Sequence, residues 1–414
     1  MIINAKEYNK KCSCGRTHAM TTELCIIEKG CLSEFDEYLK KLGISGRSAA
    51  VYDDITYEIA GSKRPRADKE IILNHSGIHA DNAAVDKAIG QIPENCDYLI
   101  AVGSGTIHDI TRYCAYKRNI PFISCPTAAS VDGFCSSVAA MTWFGYKKTL
   151  TAKSPKMVIA DLDIISNAPM RLTRSGCGDM IGKFIALAEW KIANLLTGEF
   201  LCDEIYNLSL NGAKAVVECV DGLKNGELKA FEKLTYGLLM SGLAMQMLGN
   251  SRCASGAEHH ISHLIEMEPE GLKIHSDALH GEKVGVGTLL AAWEYNRLVS
   301  DKSIVWKDYR AASEDYIKDM FGSRLSEAII KENAHDAAAG ITAVQIEENM
   351  GQIQKIISEI PDYDKLAGIY TLLGMKMTLG DISVPETCRD KLLEYSPLVR
   401  NRLTLMRLRR ALIE

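Results

Sequence analysis

Tyr98-Leu99-Ile100-Ala101-Val102-Gly103-Ser104-Gly105-Thr106-Ile107-His108-Asp109 is the stretch whose reading decides the fold. Five apolar residues in a row, stopped by Gly103, read as a strand buried on both faces, as in a parallel sheet. Thr106 to Tyr116 then has helical spacing, so the glycines sit between a strand's carboxyl end and a helix. Upstream, Ser48–Tyr52 runs into Asp53-Asp54, Glu70–Leu73 is a second strand, and Asp81 to Ile89 is a helix opened by a capping aspartate. Downstream, Pro121–Cys125 is the next strand. Strands alternating with helices at this spacing predict a parallel sheet with covering helices.

The pattern changes after Asp161. From about Pro169 onward helical periodicity dominates, with apolar residues at i, i+3 and i+4 over Phe200–Val220, Glu227–Leu248 and Glu282–Leu298. Cys388–Ile413 also reads as helical, and its arginines (Arg400, Arg402, Arg407, Arg409, Arg410) as a solvated face rather than an anion-binding patch. The expectation is an α/β nucleotide-binding domain over residues 1–165 and an all-α domain over 166–414, with the active site in the cleft between them.

The 414 residues are 47% hydrophobic and 24% charged, an ordinary globular balance that two domains can bury. A net charge of −5 provides no field to attract nucleic acid or an anionic membrane. No run approaches the ~20 apolar residues of a membrane span, and the N-terminus has no basic, then apolar, leader pattern. Thirteen cysteines without a repeating framework read as reduced thiols in a cytoplasmic protein. The apolar helices suggest a homodimer.

Glycines at a βα turn let backbone approach a pyrophosphate, with the helix N-terminus supplying N–H donors. The same glycines also suit a tight turn that needs them only for packing, and His108 interrupts the full dinucleotide pattern. Asp53, ending an earlier strand, is either a ribose acceptor or a plain turn residue. A second loop, Pro126-Thr127-Ala128-Ala129-Ser130-Val131-Asp132, follows the next strand where ligands of open α/β sheets bind. Thr127 and Ser130 can reach phosphate or ribose there, Asp132 can face a substrate, or the loop is an ordinary Ser/Thr turn.

Four of the ten histidines fall within Ala257-Glu258-His259-His260-Ile261-Ser262-His263 and Leu279-His280-Gly281-Glu282. A carboxylate with two neutral imidazoles suits Zn²⁺, Ni²⁺ or Fe²⁺ and leaves an open position for a substrate oxygen. His259 and His263, i and i+4, share a helix face: both bind metal, or one binds metal and the other contacts substrate. His260 points away and reads as packed, and His275 as a loop residue. Asp179, in Gly176-Cys177-Gly178-Asp179, reads as the start of a helix with Lys183 on the same face, either as a ligand or as a helix-terminal carboxylate with its ion-pair partner. Cys12-Ser13-Cys14 with His18 offers three soft ligands, but no fourth lies at a structural-zinc spacing, so a reduced, packed turn is the expectation.

Taken together, GSGTIHDI, PTAASVDGFCSS, APMRL…GCGDMIGK, EHHISH and ALHGEKVGVGT resemble the bacterial branch of the sn-glycerol-1-phosphate dehydrogenases. These belong with the iron-type alcohol dehydrogenases, glycerol dehydrogenase and dehydroquinate synthase. The motifs run from about Asp53 to Thr288; beyond Leu298 none is matched. The resemblance implies a divalent metal (Zn, Ni or Fe) on Asp179, His259 and His280, with His263 contacting substrate and Asp179 and His263 as catalytic residues. It assigns Asp53, Gly103, Gly105, Thr106, Ile107, His108, Asp109, Thr127, Ala128, Ala129, Ser130 and Ser136 to the cofactor, and Asp132 to substrate beside Asp179 and His263. The reaction implied is NAD(P)H-linked reduction of dihydroxyacetone phosphate to sn-glycerol 1-phosphate, a step of phospholipid metabolism. Asp53 favours an unphosphorylated ribose, hence NAD(H) over NADP(H). The imidazole of His263, titrating near neutrality, or metal-bound water is expected to protonate the alkoxide. Lys147, Lys148, Lys153 and Lys183 are candidates for the substrate phosphate. The alternatives are a polyol dehydrogenase acting on an unphosphorylated substrate, a dehydroquinate synthase-like lyase, and a binding protein that kept the fold and lost turnover, against which the Asp/His/His set argues.

Overall fold

The computed structural model describes residues 1–144 and 146–413. The chain divides into two compact units, Met1–Gly176 with Lys214–Asn250, and Cys177–Ala213 with Ser251–Glu414. Compactness thus gives the first unit a stretch, Lys214–Asn250, that a reading in contiguous domains assigns to the second.

The first unit is built on strands β1 (Ile2–Asn4), β2 (Leu24–Glu28), β3 (Ser48–Asp53), β4 (Lys69–Leu73), β5 (Tyr98–Gly103), β6 (Phe122–Pro126), β7 (Val138–Trp143), β8 (Tyr146–Thr151) and β9 (Met157–Asp161). Seven form one sheet in the order β1-β2-β9-β6-β5-β3-β4, while β7 and β8 form a separate hairpin. All neighbours in the large sheet are parallel except β1, which is antiparallel to β2. Helices α1 (Phe35–Lys41), α2 (Asp54–Ala60), α3 (Asn82–Ile89) and α4 (Gly105–Arg118) follow β2, β3, β4 and β5. The strands, helices and capping Asp81 read from the sequence are present within a residue or two.

The continuous apolar run of β5 has a direct cause. Leu99 and Ala101 pack with Ile107 and Ile110 of α4 and Val85 of α3, whereas Ile100 and Val102 pack with Phe35, Tyr38 and Leu39 on the opposite face. Alternate side chains leave opposite sides of a strand, and both sides are covered. From β3 the chain moves outward to β4, and from β5 it moves the other way to β6. The strand order therefore reverses between β3 and β5. Ligands of open α/β sheets bind at such a reversal, beyond the carboxyl ends of the strands.

The remaining helices are α5 (Leu162–Ile165), α6 (Met170–Ile181), α7 (Lys183–Thr197), α8 (Asp203–Glu218), α9 (Val220–Lys224), α10 (Leu228–Leu248), α11 (Ala257–Met267), α12 (His280–Ser300), α13 (Glu314–Glu332), α14 (Ala343–Ile357), α15 (Tyr363–Leu373), α16 (Arg389–Tyr395) and α17 (Leu405–Leu408). Among the described residues, none is long and apolar enough to cross a membrane.

Two expectations need correction. Cys388–Ile413 is not one helix but α16, α17 and short 3₁₀ turns, interrupted at Pro397, which has no N–H to continue a helix. Its arginines are not all solvated either. Arg407 is buried, donating to the carbonyls of Arg402 and Arg400 at 2.9 and 2.7 Å and to Asp336 at 2.9 Å. A guanidinium's five donors thereby take up the carbonyls that the broken helix leaves open.

Candidate active site

In the second unit, α6, α7, α11 and α12 bring Asp179, Lys183, His259, His263 and His280 together. Asp179 lies in the last turn of α6, not at a helix start, and a single turn residue, Gly182, separates α6 from α7, which begins at Lys183. The glycines that look like a loop in the sequence serve close approach instead. A Cβ on Gly178 would overlap the carbonyl oxygen of Gly281, and one on Gly287 would come within 2.6 Å of Glu258 O. Their absence lets the backbones of α6 and α11 abut α12.

Donor atoms of Asp179, His259 and His280 all lie within 4.8 Å of one another. His259 Nε2 is 3.3 Å from Asp179 Oδ1, and Lys183 Nζ donates to that same oxygen at 2.8 Å. Each imidazole is held from behind by a carboxylate: His259 Nδ1 by Glu258 at 2.7 Å and His280 Nδ1 by Glu266 at 2.9 Å. Carboxylate-backed histidines with the other ring nitrogen facing a carboxylate are the arrangement of a divalent metal site, so the residues fit such an ion. Burial pushes the Asp179 carboxyl up, but Lys183 and His259 outweigh it and hold the group well below the usual carboxylate range. For His259, burial and Lys183 favour the neutral ring, yet hydrogen bonds to Asp179 and Glu258 raise it to about 9.

His263, one turn beyond His259, faces His280 with ring centroids 5.8 Å apart and nearly parallel planes. Burial pushes its ring well below the ordinary histidine value, with Glu266 opposing. The expectation that it titrates near neutrality is therefore corrected: it is a neutral imidazole. His260 is buried, as the sequence suggested, and His275 is exposed among Glu268 and Asp277.

Near Glu258 lies a carboxylate the sequence reading did not single out. Glu189, on α7, accepts from Ala257 N at 2.9 Å and from Tyr295 Oη. Burial, with Glu258 nearby, raises it to about 8. Glu258 itself stood in the quoted EHHISH run, next to the His259 ring it orients.

The nucleotide loops lie in the first unit. β3 and β5 pair Val51 with Ala101, and β5 and β6 pair Gly103 with Pro126, so Asp53, Gly103 and Pro126 share one carboxyl edge at the reversal of strand order. Asp53 caps α2, accepting from Thr56 N at 2.7 Å. At Gly103 a Cβ would come 2.7 Å from that of Ile107, so packing demands glycine there, while Gly105 opens α4. Thr106, Ile107 and Asp109 follow in its first turns, with Ile107 in the core and Asp109 Oδ2 accepting from Ala140 N at 3.3 Å. His108 is buried against the edge of Phe134, its Nδ1 2.9 Å from Ser104 O, and burial lowers it to about 3. It is a neutral brace for the turn.

Thr127 N donates to Gly103 O at 3.0 Å, joining the two loops. Thr127, Ala128, Ala129, Ser130 and Ser136 are buried, Ser130 O accepts from Ser175, and Asp132 accepts from Ser241 at 2.8 Å. Arg112, on α4, went unnoticed in the sequence: fully buried, it donates to the carbonyls of Ser136 and Val138 at 3.0 Å and of Phe134 at 3.2 Å. Its position four residues after His108 was the available signal. Of the candidate phosphate lysines, Lys183 is paired with Asp179 and Lys153 donates to Asn119 at 2.9 Å. Lys148 is exposed, and the side chain of Lys147 lies outside the described residues.

Residues 26–169 match the family model described as iron-containing alcohol dehydrogenase. Among curated proteins, glycerol-1-phosphate dehydrogenase [NAD(P)+] of Bacillus licheniformis is 31% identical over 416 aligned positions, covering 98% of this chain and 93% of the relative. The chain belongs to the glycerol-1-phosphate dehydrogenase family. The family member of Pyrococcus horikoshii is 36% identical over 69% of this chain and 80% of its own length. Outside the family, glycerol dehydrogenase from Schizosaccharomyces pombe shares the fold at a TM-score of 0.54 and 20% identity, over 92% of this chain and 93% of that one. Sulfoacetaldehyde reductase from Bifidobacterium kashiwanohense, solved with NAD+, does so at 0.63 and 16%, over 95% and 96%.

Proposed function

We propose that the protein is a metal-dependent oxidoreductase that reversibly reduces dihydroxyacetone phosphate to sn-glycerol 1-phosphate with NADH or NADPH. The observation that carries this reading is the convergence of Asp179, His259 and His280, each imidazole backed by a carboxylate, in a chain whose full-length relatives bear that activity in their names. Asp179, His259 and His280 would hold one divalent ion, Zn²⁺, Ni²⁺ or Fe²⁺. When bound, that ion supplies a Lewis acid for the ketone oxygen of the substrate. Glu258 and Glu266 fix the two ring orientations. His263, neutral, donates a hydrogen bond to the substrate, and the proton that completes the alcohol comes from water.

The cofactor belongs on the carboxyl edge of β3, β5 and β6. Gly105 at the start of α4 receives the pyrophosphate, and Thr106, Ile107, His108 and Asp109 shape that turn behind it. Thr127, Ala128, Ala129, Ser130 and Ser136 line the second loop, and Asp132 reaches substrate. Asp53 at the end of β3 favours the unphosphorylated ribose of NAD(H). A reducing compartment such as the cytoplasm belongs to the same reading, supported by thirteen cysteines none of which is in a disulfide, and a homodimer belongs to it through the apolar helices.

The test is NADH oxidation with dihydroxyacetone phosphate, on protein stripped by chelator and reloaded separately with Zn²⁺, Ni²⁺ and Fe²⁺. Turnover that returns with metal supports the reading. Oxidation of glycerol without activity on the phosphate would replace it with a polyol dehydrogenase.

A further inference from the structure

The first unit holds a second group of soft donors, in the segment ahead of β2. Lys11 and Thr17 form an antiparallel bridge. Inside it, Cys12 N donates to Arg16 O at 2.9 Å and Gly15 N to Cys12 O at 3.0 Å, with Gly15 at φ +85°. That left-handed conformation suits glycine and tightens the turn so that Cys12 and Cys14 approach each other. His18 follows directly after the bridge. The sulfurs of Cys12 and Cys14 and a ring nitrogen of His18 lie within 4.8 Å of one another. Cys12 and His18 are buried, and Cys14 is half-buried.

The histidine is oriented. Its Nδ1 lies 2.9 Å from Met247 O. A carbonyl only accepts, so Nδ1 carries the proton and Nε2 presents its lone pair, 3.3 Å from Cys14 Sγ. Fixing the outer nitrogen of a ligand histidine with a carbonyl is a common way to aim the inner one at a metal. Tetrahedral zinc, with Zn–S of ~2.3 Å and Zn–N of ~2.0 Å, separates a sulfur and a nitrogen ligand by about 3.5 Å. A thiol hydrogen bond accounts for the Cys14–His18 contact, but not for a third soft donor in the same small sphere.

We propose that Cys12, Cys14 and His18 form a thiophilic metal site that takes Zn²⁺, separate from the ion assigned to Asp179, His259 and His280. Binding displaces the two thiol protons and leaves both sulfurs as thiolates. A further donor completes the tetrahedron. The ion ties the chain ahead of β2 to α10, through His18 and Met247. The proposal does not depend on the reaction assigned above.

Cobalt substitution tests it, because of the two proposed sites this one has thiolate ligands and the Asp179, His259 and His280 set has none. Full-length protein, stripped and reloaded with Co²⁺ under reducing conditions, is expected to show a near-ultraviolet thiolate-to-cobalt charge-transfer band. The band should persist in Asp179→Asn and vanish in Cys12→Ser and in Cys14→Ser. Metal analysis of the zinc-loaded protein should give one equivalent fewer in those two serine variants. Should the serine variants fail to fold, alkylation of the unaltered protein decides: Cys12 and Cys14 should be protected when zinc is bound and labelled after chelation. Absence of the band from folded, cobalt-loaded protein overturns the proposal, as does equal labelling of the two thiols with and without chelator.

Discussion

One oxygen of Asp179 meets both the ammonium of Lys183 and the ring of His259, inside a site none of the three can leave for water. Asp179→Asn therefore weakens the proposed ligand set and strands a buried lysine. Metal content should fall, and kcat should drop by the ~3–4 kcal/mol typical of losing one preorganised electrostatic contact, a factor of several hundred. Metal analysis and initial rates check both. His259 makes the site pH-dependent. In the metal-free protein its proton is held to about pH 9, so below that value the ion must displace a proton. Metal affinity should rise about tenfold per pH unit up to there, read by titration calorimetry at several pH values. The linkage for folding has the opposite sign. A folded value raised above the unfolded ~6.5 gives stability that is fully present below that pH and lost as pH rises through about 9. The melting temperature of chelated protein, followed from pH 6 to 9.5, should lose this contribution on the alkaline side.

Helices α6 and α12 show why part of the site was hidden in the sequence. Glycine inside GCGDMIG reads as a boundary, yet Gly178 sits within α6 because Gly281 of α12 leaves no room for a side chain. Gly178→Ala should separate the two backbones and carry Asp179 away from His280. The expected result is at least the ~1–3 kcal/mol of an overpacked core, with weaker metal binding, measurable by thermal melts and metal analysis. Gly103→Ala should act in the same way on the βα turn through Ile107, raising KM for the nicotinamide cofactor. What was legible follows from periodicity: β5 is buried on both faces, so its run is unbroken, and the α8, α10 and α12 segments repeat every three to four residues. The three-residue edge strand β1, the strand β2 and the β7–β8 hairpin carried too little pattern to be singled out, and β9 was an apolar run overlooked beside the change to helices. The histidine cluster stood out by its spacing. The supporting Glu189, Arg112 and Glu266 did not, since their roles depend on burial and on partners far away in sequence.

At the scale of the molecule, the first unit is discontinuous. Gly242 of α10 packs where a Cβ would come 2.8 Å from that of Cys135, and Ser241 donates to Asp132, so the turn after β6 rests on residues from beyond Gly176. The fragment of residues 1–165 should therefore lack a cooperative thermal transition; a sharp one would favour the contiguous division. Saturating metal should stabilise the full chain by about 2.7 kcal/mol at a hundredfold excess over Kd, seen as a rise in melting temperature on reloading. The same discontinuity bears on biosynthesis. When Gly176 leaves the ribosome, the sheet it closes still lacks α10, and 74 more residues must be made before Asn250 appears. At roughly 5–20 residues per second this is a delay on the order of 4–15 s, during which the apolar face awaiting α10 is open to chaperones and to other nascent chains. Yield in a cell should accordingly depend on what guards the emerging polypeptide during that interval.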